Sequence, residues 1–567
     1  MIIKINNKDY EFNKGETILD VARRNGIEIP TLCYLKDIIK ESNCRICMVE
    51  TVTPRGNRLV TACSTDAEDG MVVYTNSPSV ISSRKNTLEL IASNHNGTCF
   101  TCYRSGDCYL QGLFEQYNTK GLVKGDMQNH PIDDSSACIV RDPNKCILCG
   151  RCKEVCGKVQ SVYALTKQKR GFNTLMGAAF NSPMAESECI GCGQCVLVCP
   201  TGALIEHSYI NEVNKLLADK EKEGYTVIAQ VAPSVRVSLA ENFGNPIGTF
   251  DEVKMCEALK IMGFDKVFDV NYGADLTIIE EGNELLERVT KNENLPLFTS
   301  CCPGWFKFVE KFYPDFEHNL SSCKSPGEML GATIKHYYSV KEGIDINKIK
   351  VVNIMPCTAK KNEKLRSDDV DISITTRELA KMIKENCIDY NNLEGMPFDT
   401  PLSEYTGAGL IFGVTGGVTE AALRYAITKL DPSIEKIDFE EVRYSEGLKE
   451  TVVTAGDVKL NIAVANGLAN ARKIMEQIKS GEKHYDFVEV MACPGGCING
   501  GGQSYVDYTK VDVKDVRKLR TATIYNKDKS MKVRESSKNE ALKSIYDEFF
   551  INDRKTAHKL LHYRNHD

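Results

Sequence analysis

The sequence predicts a multidomain chain, α+β over its amino-terminal part and α/β with largely parallel sheets beyond residue 210. Three observations predict this. At 567 residues and 63.2 kDa the chain exceeds what one hydrophobic core serves and suggests roughly three to five units. Its 24 cysteines fall in spaced clusters rather than a scatter. Near residue 210 short alternating runs give way to buried strands interleaved with helix patterns, as in an α/β layer.

Composition excludes some classes. Net charge is -6 and the sequence pI is near 6.0. Acidic and basic residues are interspersed, without the basic stripe a nucleic-acid binder needs. Met1 to Asp9 alternate like a strand and lack the charged and apolar regions of a secretory leader. Mean hydropathy is -0.29, and no apolar run is long enough to cross a bilayer. A soluble, cytoplasmic protein with thiols kept reduced for metal is expected, with neither nucleic acid nor membrane as partner.

Residues 1–78 read as the first unit. Strand-like runs lie at Ile2 to Ile5, Leu59 to Ala62 and Met71 to Tyr74, with a helix pattern at Thr17 to Asn25. The cysteines are spaced Cys33-x10-Cys44-x2-Cys47-x15-Cys63. The close pair puts two thiolates on one turn, and the flanking cysteines complete four ligands around two irons. Zn is the alternative for four cysteines. It ranks lower because the cysteine runs that follow need an electron exit.

In residues 79–137 the pattern is His95-x3-Cys99-x2-Cys102-x5-Cys108. A Cys3His Zn knuckle is the competing reading. The spacing, at this place in the chain, resembles a Cys3His-ligated 4Fe-4S domain, which implies a cluster easier to reduce than a four-thiolate one because imidazole is neutral.

Residues 138–209 carry Cys146-x2-Cys149-x2-Cys152-x3-Cys156 and Cys189-x2-Cys192-x2-Cys195-x3-Cys199-Pro200. This resembles a bacterial two-cluster ferredoxin, in which the fourth cysteine of each run ligates the other cluster. Cys146, Cys149, Cys152 and Cys199 are thereby assigned to one 4Fe-4S cluster, and Cys189, Cys192, Cys195 and Cys156 to the other. Here the first run ends Cys156-Gly157, and the insertion from Lys158 to Glu188 is long.

From 210 to 567 strands are expected at Thr226 to Val231, Val267 to Val270, Leu297 to Thr299, Lys350 to Met355, Ile462 to Ala465 and Phe487 to Met491. Three of them run into cysteine motifs: Thr299-Ser-Cys301-Cys302-Pro-Gly-Trp305, Met355-Pro-Cys357-Thr-Ala-Lys-Lys361 and Met491-Ala-Cys493-Pro-Gly-Gly-Cys497-Ile-Asn-Gly-Gly-Gly-Gln503. Proline fixes φ and glycine lets backbone amides approach anionic sulfur, so these loops suit a charged cluster.

These motifs resemble the signatures of the iron-only, or FeFe, hydrogenases, and the resemblance spans the whole chain. The first two units resemble the 2Fe-2S and Cys3His-ligated 4Fe-4S domains shared by those enzymes and by large subunits of NADH dehydrogenases. The resemblance implies a β-grasp 2Fe-2S domain, a Cys3His domain, a two-cluster ferredoxin domain and an α/β hydrogenase domain. It implies one 2Fe-2S cluster, three accessory 4Fe-4S clusters and an H-cluster, a 4Fe-4S unit joined to a diiron unit with CO, cyanide and azadithiolate. Cys302, Cys357, Cys493 and Cys497 would ligate the 4Fe-4S part, with Cys497 bridging to the diiron unit. Lys360, Pro233 and Ser234 would meet the cyanides, and Met355, Met491 and Phe412 would wall the open iron position.

The implied reaction is 2H+ + 2e- = H2. Cys301 would pass the proton, continuing through Glu281, Ser321 and Glu284 to Arg288. The stretch Thr277 to Val289 reads as a helix that puts Glu281, Glu284 and Arg288 on one face. Without the resemblance, Glu284 and Arg288 are an ordinary surface ion pair. Where relatives carry a polar side chain after Ser325-Pro326 this chain has Gly327, so hydrogen bonding near the cluster should differ. Cys138, Cys256, Cys323 and Cys387 lack partner spacing and read as small buried residues. The Gly407-x-Gly409-x-x-x-Gly413 stretch lacks the dinucleotide-binding spacing, so nucleotide binding is not expected.

The family resemblance further implies ferredoxin or flavodoxin as electron carrier, maturation proteins for the diiron unit, and a monomer. Competing readings are an iron-sulfur subunit of an NADH or formate dehydrogenase complex, an iron-sulfur assembly factor, or a non-catalytic hydrogen sensor. The three carboxyl-terminal motifs oppose the first of these, the full accessory set opposes the second, and Cys301 opposes the third.

Overall fold

In the computed structural model residues 1–125, 129–430, 437–443, 447–455, 458–508, 510–550 and 554–563 are described. Alternation at Ile2–Ile5 turns Ile3 and Ile5 inward. That strand pairs antiparallel with Lys8–Glu11 and parallel with Val72–Tyr74. Met48–Thr51 and Arg58–Thr61 complete a mixed five-stranded sheet. The helix Ile18–Arg24 starts at a Thr17–Asp20 capping box and buries Ile18, Leu19, Val21 and Ala22 in the same core.

The helix Pro78–Ala92 ties the next segment to that sheet. Its buried Arg84 donates to the carbonyl oxygens of Ile46 and Met48 at 3.2 and 2.8 Å. In the following segment Ile139–Arg141 pairs antiparallel with Leu204–Glu206. The short helices Arg151–Glu154 and Gln194–Leu197 lie between them, each entered through a left-handed glycine, Gly150 or Gly193. The insertion carries a small hairpin, Thr166–Gln168 against Leu175–Gly177.

Beyond residue 210 there are two four-stranded sheets. In the first, Lys266–Asp269, Thr226–Val231, Ile349–Met355 and Ile372–Thr375 are parallel throughout. In the second, Leu297–Phe298, Phe487–Met491 and Val458–Asn466 are parallel, and Leu448–Ala455 joins the edge antiparallel. Those last two strands follow each other directly in sequence, too close for a parallel crossover. The long helix Val270–Lys291 serves both cores, placing Tyr272 and Leu276 in one and Ala274, Ile278 and Leu285 in the other.

Cys138, Cys256 and Cys323 are buried as expected, but Cys387 is exposed. It lies past the end of helix Thr376–Glu385 with φ of 54°, where the chain turns on the surface rather than into the core.

One ion pair fixes the loop after Thr226–Val231. Arg236 and Asp269 are both fully buried and bond twice, at 2.9 and 3.1 Å. Arg236→Met is expected to cost about 3–5 kcal/mol by stranding the Asp269 carboxylate. Adding Asp269→Leu should recover much of the loss, read from urea unfolding midpoints of the three variants.

Candidate active site

The strands ending at Phe298, Met355 and Met491 deliver their loops to one place, the carboxyl ends of parallel strands where α/β sheets collect ligands. There a cavity is lined by Cys301, Cys302, Cys357, Cys493 and Cys497. Pro233, Ser234, Met355, Lys360, Phe412, Met491 and Gly327 line it too. Every cavity residue expected from sequence is therefore present.

Glycine makes the approach of these loops possible. A methyl group at Gly500 would strike the Pro356 carbonyl oxygen, one at Gly501 the Cys192 carbonyl oxygen, and one at Gly413 the Ser234 hydroxyl. Gly496 has φ of 88° and abuts the backbone of Val414 and Thr415. Gln503 is fully buried and donates through Nε2 to the Ser234 carbonyl oxygen at 2.7 Å, joining the last motif to the Pro233 loop.

The buried thiols are hard to ionise unaided. Burial, then the neighbouring Cys302, pushes Cys357 up to about 12. Cys493 and Cys497 are raised by burial and then by Cys357. Lys360 is the cation of the cavity; its Nζ bonds Glu363 Oε1 at 2.5 Å. Burial, then Glu328, raises Glu363 to about 7. The sequence reading missed Glu363, three residues along one turn from Lys360.

Cys301 lies beside the cavity and is raised by burial, then by Glu281. Burial, then Glu284, pushes Glu281 up to about 8, against a weaker pull from Ser321 and the Ser300 amide, neither of which reaches full hydrogen-bond geometry. Ser321 Oγ donates to Glu284 Oε2 at 2.8 Å. Arg288 bonds Glu284 at 2.6 Å and also the carbonyls of Asn294, Asn319 and Leu320. The expected Cys301–Glu281–Ser321–Glu284–Arg288 set thus lies together on and against the long helix.

The accessory cysteines also gather. One cavity is lined by Cys146, Cys149, Cys152 and Cys199, another by Cys156, Cys189, Cys192 and Cys195. Cys47 and Cys63 sulfurs stand 3.3 Å apart, and the Cys33 and Cys44 thiols hydrogen-bond. Cys102 lies against Gly202 and Cys108 against the Pro200 carbonyl oxygen. His95 is buried, its Nδ1 has no partner, and burial lowers its pKa to about 4. A neutral ring with a bare nitrogen suits a metal ligand.

Comparison with known proteins decides the family. Over 585 aligned residues the chain is 45% identical to the NADP-reducing hydrogenase subunit HndD of Solidesulfovibrio fructosivorans, covering 99% of this chain and 98% of that one. The chain belongs to the iron-only hydrogenases. It is also 40% identical to iron hydrogenase 1 of Clostridium pasteurianum, covering 99% of both. Among solved structures, the apo [FeFe]-hydrogenase of Chlamydomonas reinhardtii superposes with a TM-score of 0.56 at 38% identity, covering 63% of this chain and 98% of that one. Residues 225–501 match the iron only hydrogenase large subunit, C-terminal domain. Residues 1–78 match a 2Fe-2S iron-sulfur cluster binding domain, 84–121 the NADH-ubiquinone oxidoreductase-G iron-sulfur binding region, and 145–203 a 4Fe-4S dicluster domain. Residues 514–567 match the iron hydrogenase small subunit, a division of the carboxyl half that the sequence reading did not draw.

This hydrogenase therefore carries 2Fe-2S and 4Fe-4S clusters and an H-cluster, and the cavity fits that group. Crowded thiols without acid partners are relieved when metal takes their protons' place, and the glycine contacts leave room for nothing larger in the loops themselves. Among the described residues no helix is long and apolar enough to cross a membrane.

Gly501→Ala should force the last motif away from Cys192. The expected outcome is less iron per chain in the purified protein, measured by iron assay beside an exposed Gly112→Ala control, whose added methyl meets nothing within 4 Å.

Proposed function

We propose that this hydrogenase runs 2H+ + 2e- = H2 with Cys302, Cys357, Cys493 and Cys497 as ligands of the H-cluster's 4Fe-4S part and Cys497 as the bridge to the diiron unit. The observation that carries the reading is one buried cavity holding those four thiols, with Cys301 and the uncompensated Glu281 behind it. When bound, the H-cluster supplies the redox iron site at which dihydrogen forms and splits. Pro233, Ser234 and Lys360 orient it, and Met355, Phe412 and Met491 keep water from its open side. Cys301 moves the proton at its Sγ, exchanging it with Glu281, and Ser321 passes it on to Glu284 beside Arg288.

Cys33, Cys44, Cys47 and Cys63 would hold a 2Fe-2S cluster, and His95, Cys99, Cys102 and Cys108 a 4Fe-4S cluster. Cys146, Cys149, Cys152 and Cys199 would hold a second 4Fe-4S cluster and Cys156, Cys189, Cys192 and Cys195 a third, and together these would supply electron transfer to the H-cluster. The contact of Gly501 with Cys192 supports that transfer. The domains follow as 1–78, 79–137, 138–209 and 210–567. The protein acts as a cytoplasmic monomer with ferredoxin or flavodoxin as carrier, after maturation proteins install the diiron unit.

A second reading of the carrier rests on the 45% identical relative, whose name is that of an NADP-reducing hydrogenase subunit. With no dinucleotide-binding motif in its own sequence, this chain would then pass electrons to a nucleotide-binding partner subunit. Purified, matured chain should reduce ferredoxin with H2 and leave NADP+ untouched. If ferredoxin stays oxidised and NADP+ is reduced only once a host fraction supplies a partner, the second reading holds.

Cys301→Ala should keep iron content near wild type and lose nearly all H2 evolution from reduced viologen; retained turnover removes Cys301 from the route. Glu281 gives a pH test. With its carboxyl pushed up to about 8, it stays protonated at neutral pH and loses the proton as pH rises through about 8. H2 evolution should therefore fall, and H2 uptake rise, through that pH, and Glu281→Gln should abolish both limbs. The folded chain holds this proton between about pH 4 and 8 where the unfolded one has lost it, so stability falls as pH rises across that window.

A further inference from the structure

Behind Glu284 lies a second hydrogen-bonded chain that none of these roles uses. His562 is buried at the end of helix Arg554–Leu561. A bridge between Cys323 and His562 holds it, as does the Tyr563 amide, which donates to the Ser322 carbonyl at 2.8 Å. Its Nδ1 stands 2.8 Å from Ser322 Oγ and 3.8 Å from Cys323 Sγ. Its Nε2 stands 3.1 Å from Glu280 Oε2. Ser322 Oγ in turn lies 3.3 Å from Glu284 Oε2. On its outer side the ring stacks on exposed His558, centroids 4.2 Å apart.

We propose that Ser322, His562 and Glu280 form a second outer arm of the proton relay, parallel to Arg288, along which protons pass between Glu284 and the solvent beside His558. The proposal rests on the reading of Glu284 as a relay group.

Hydrogen counting makes this chain a conductor rather than a brace. The Ser322 hydroxyl has one proton and two takers, Glu284 and His562. When it faces Glu284, His562 Nδ1–H must donate to Ser322, and Nε2 then meets a carboxylate oxygen at 3.1 Å. That contact requires a proton, on Nε2 or on Glu280. When the hydroxyl faces His562, Nε2–H donates to Glu280 and the ring is neutral. A proton on Glu284 Oε2 moves to Ser322 Oγ, the Ser322 proton moves to His562 Nδ1, and the Nε2 proton moves to Glu280 Oε2. Three O–H or N–H bonds break and three form, and neither Ser322 nor His562 is left with altered charge.

The groups facing His562 are Glu280 and Glu284 from the long helix, Ser322 and Cys323 from the loop, and His558 from its own helix. Burial raises Glu280, but hydrogen bonds from His562 and Tyr546 outweigh it and hold Glu280 below the usual carboxylate value. A proton delivered there is released. Its side chain is 14% exposed, enough to meet water. His562 belongs to the segment matching the small-subunit family, so the arm joins two family segments.

The test is steady-state H2 evolution by the matured, cluster-loaded protein with saturating reduced methyl viologen. Parallel exits predict that His562→Gln and Arg288→Ala each lower the rate about 2-fold, while the double variant loses about 10-fold or more, beyond the product of the singles. The KM for viologen and the infrared bands of the bound diatomics should not change. Imidazole added to His562→Gly should restore its rate, and should not restore Arg288→Ala. Glu280→Gln attacks the arm from the long helix and should repeat the His562→Gln result if that variant misfolds. A double variant no slower than Arg288→Ala overturns the arm. Full activity in Glu284→Gln overturns instead the relay reading beneath it, a result the double variant cannot mimic.

Discussion

Glycine-licensed contact between loops from separate parts of the chain is the constraint on which the rest depends. The cavity exists because Gly413, Gly496, Gly500 and Gly501 let backbone meet backbone where any side chain would intrude. The Gly501 contact also seats the last cysteine motif against the backbone of Cys192 and Gly193. The Arg236–Asp269 pair and Gln503 hold the loops from behind through buried hydrogen bonds.

The electrostatics follow from that packing. The acids near the cavity have different partners. Glu363 is tied to Lys360. Glu489 accepts from the amides of Gly416 and Thr419, and Glu284 is bound to Arg288. Glu281 has no cation beside it, and only Ser321 and the Ser300 amide approach its oxygens. Burial and Glu284 keep it protonated at neutral pH, and it stands between Cys301 and Glu284. Separation of roles among chemically identical side chains comes from what each is packed against.

Much of this was legible in the sequence, for a physical reason. Cluster ligands from a short run must lie at fixed spacing, so Cys146 to Cys156 and Cys189 to Cys199 declare themselves. The strands Thr226–Val231 and Phe487–Met491 are mostly apolar because both faces are covered, with Gln230 and Glu489 as buried polar exceptions. What stayed hidden is set by distance along the chain. His562 meets Ser322 across 240 residues, and no local pattern marks that meeting. Glu363 was close to Lys360 in sequence, yet a lysine followed by a glutamate three residues on is too common on surfaces to single out. Cys387 misled because exposure depends on where a turn faces, which composition does not encode.

The segment matching a family described as a small subunit is here joined covalently to the part it packs on. A separate partner would bind according to its concentration and would leave on dilution. A tethered one faces an effective concentration set by the connecting backbone, in the millimolar range for short linkers. Docking of His562 and its helix is accordingly a unimolecular step, complete whenever the chain has folded and indifferent to how much protein the cell makes.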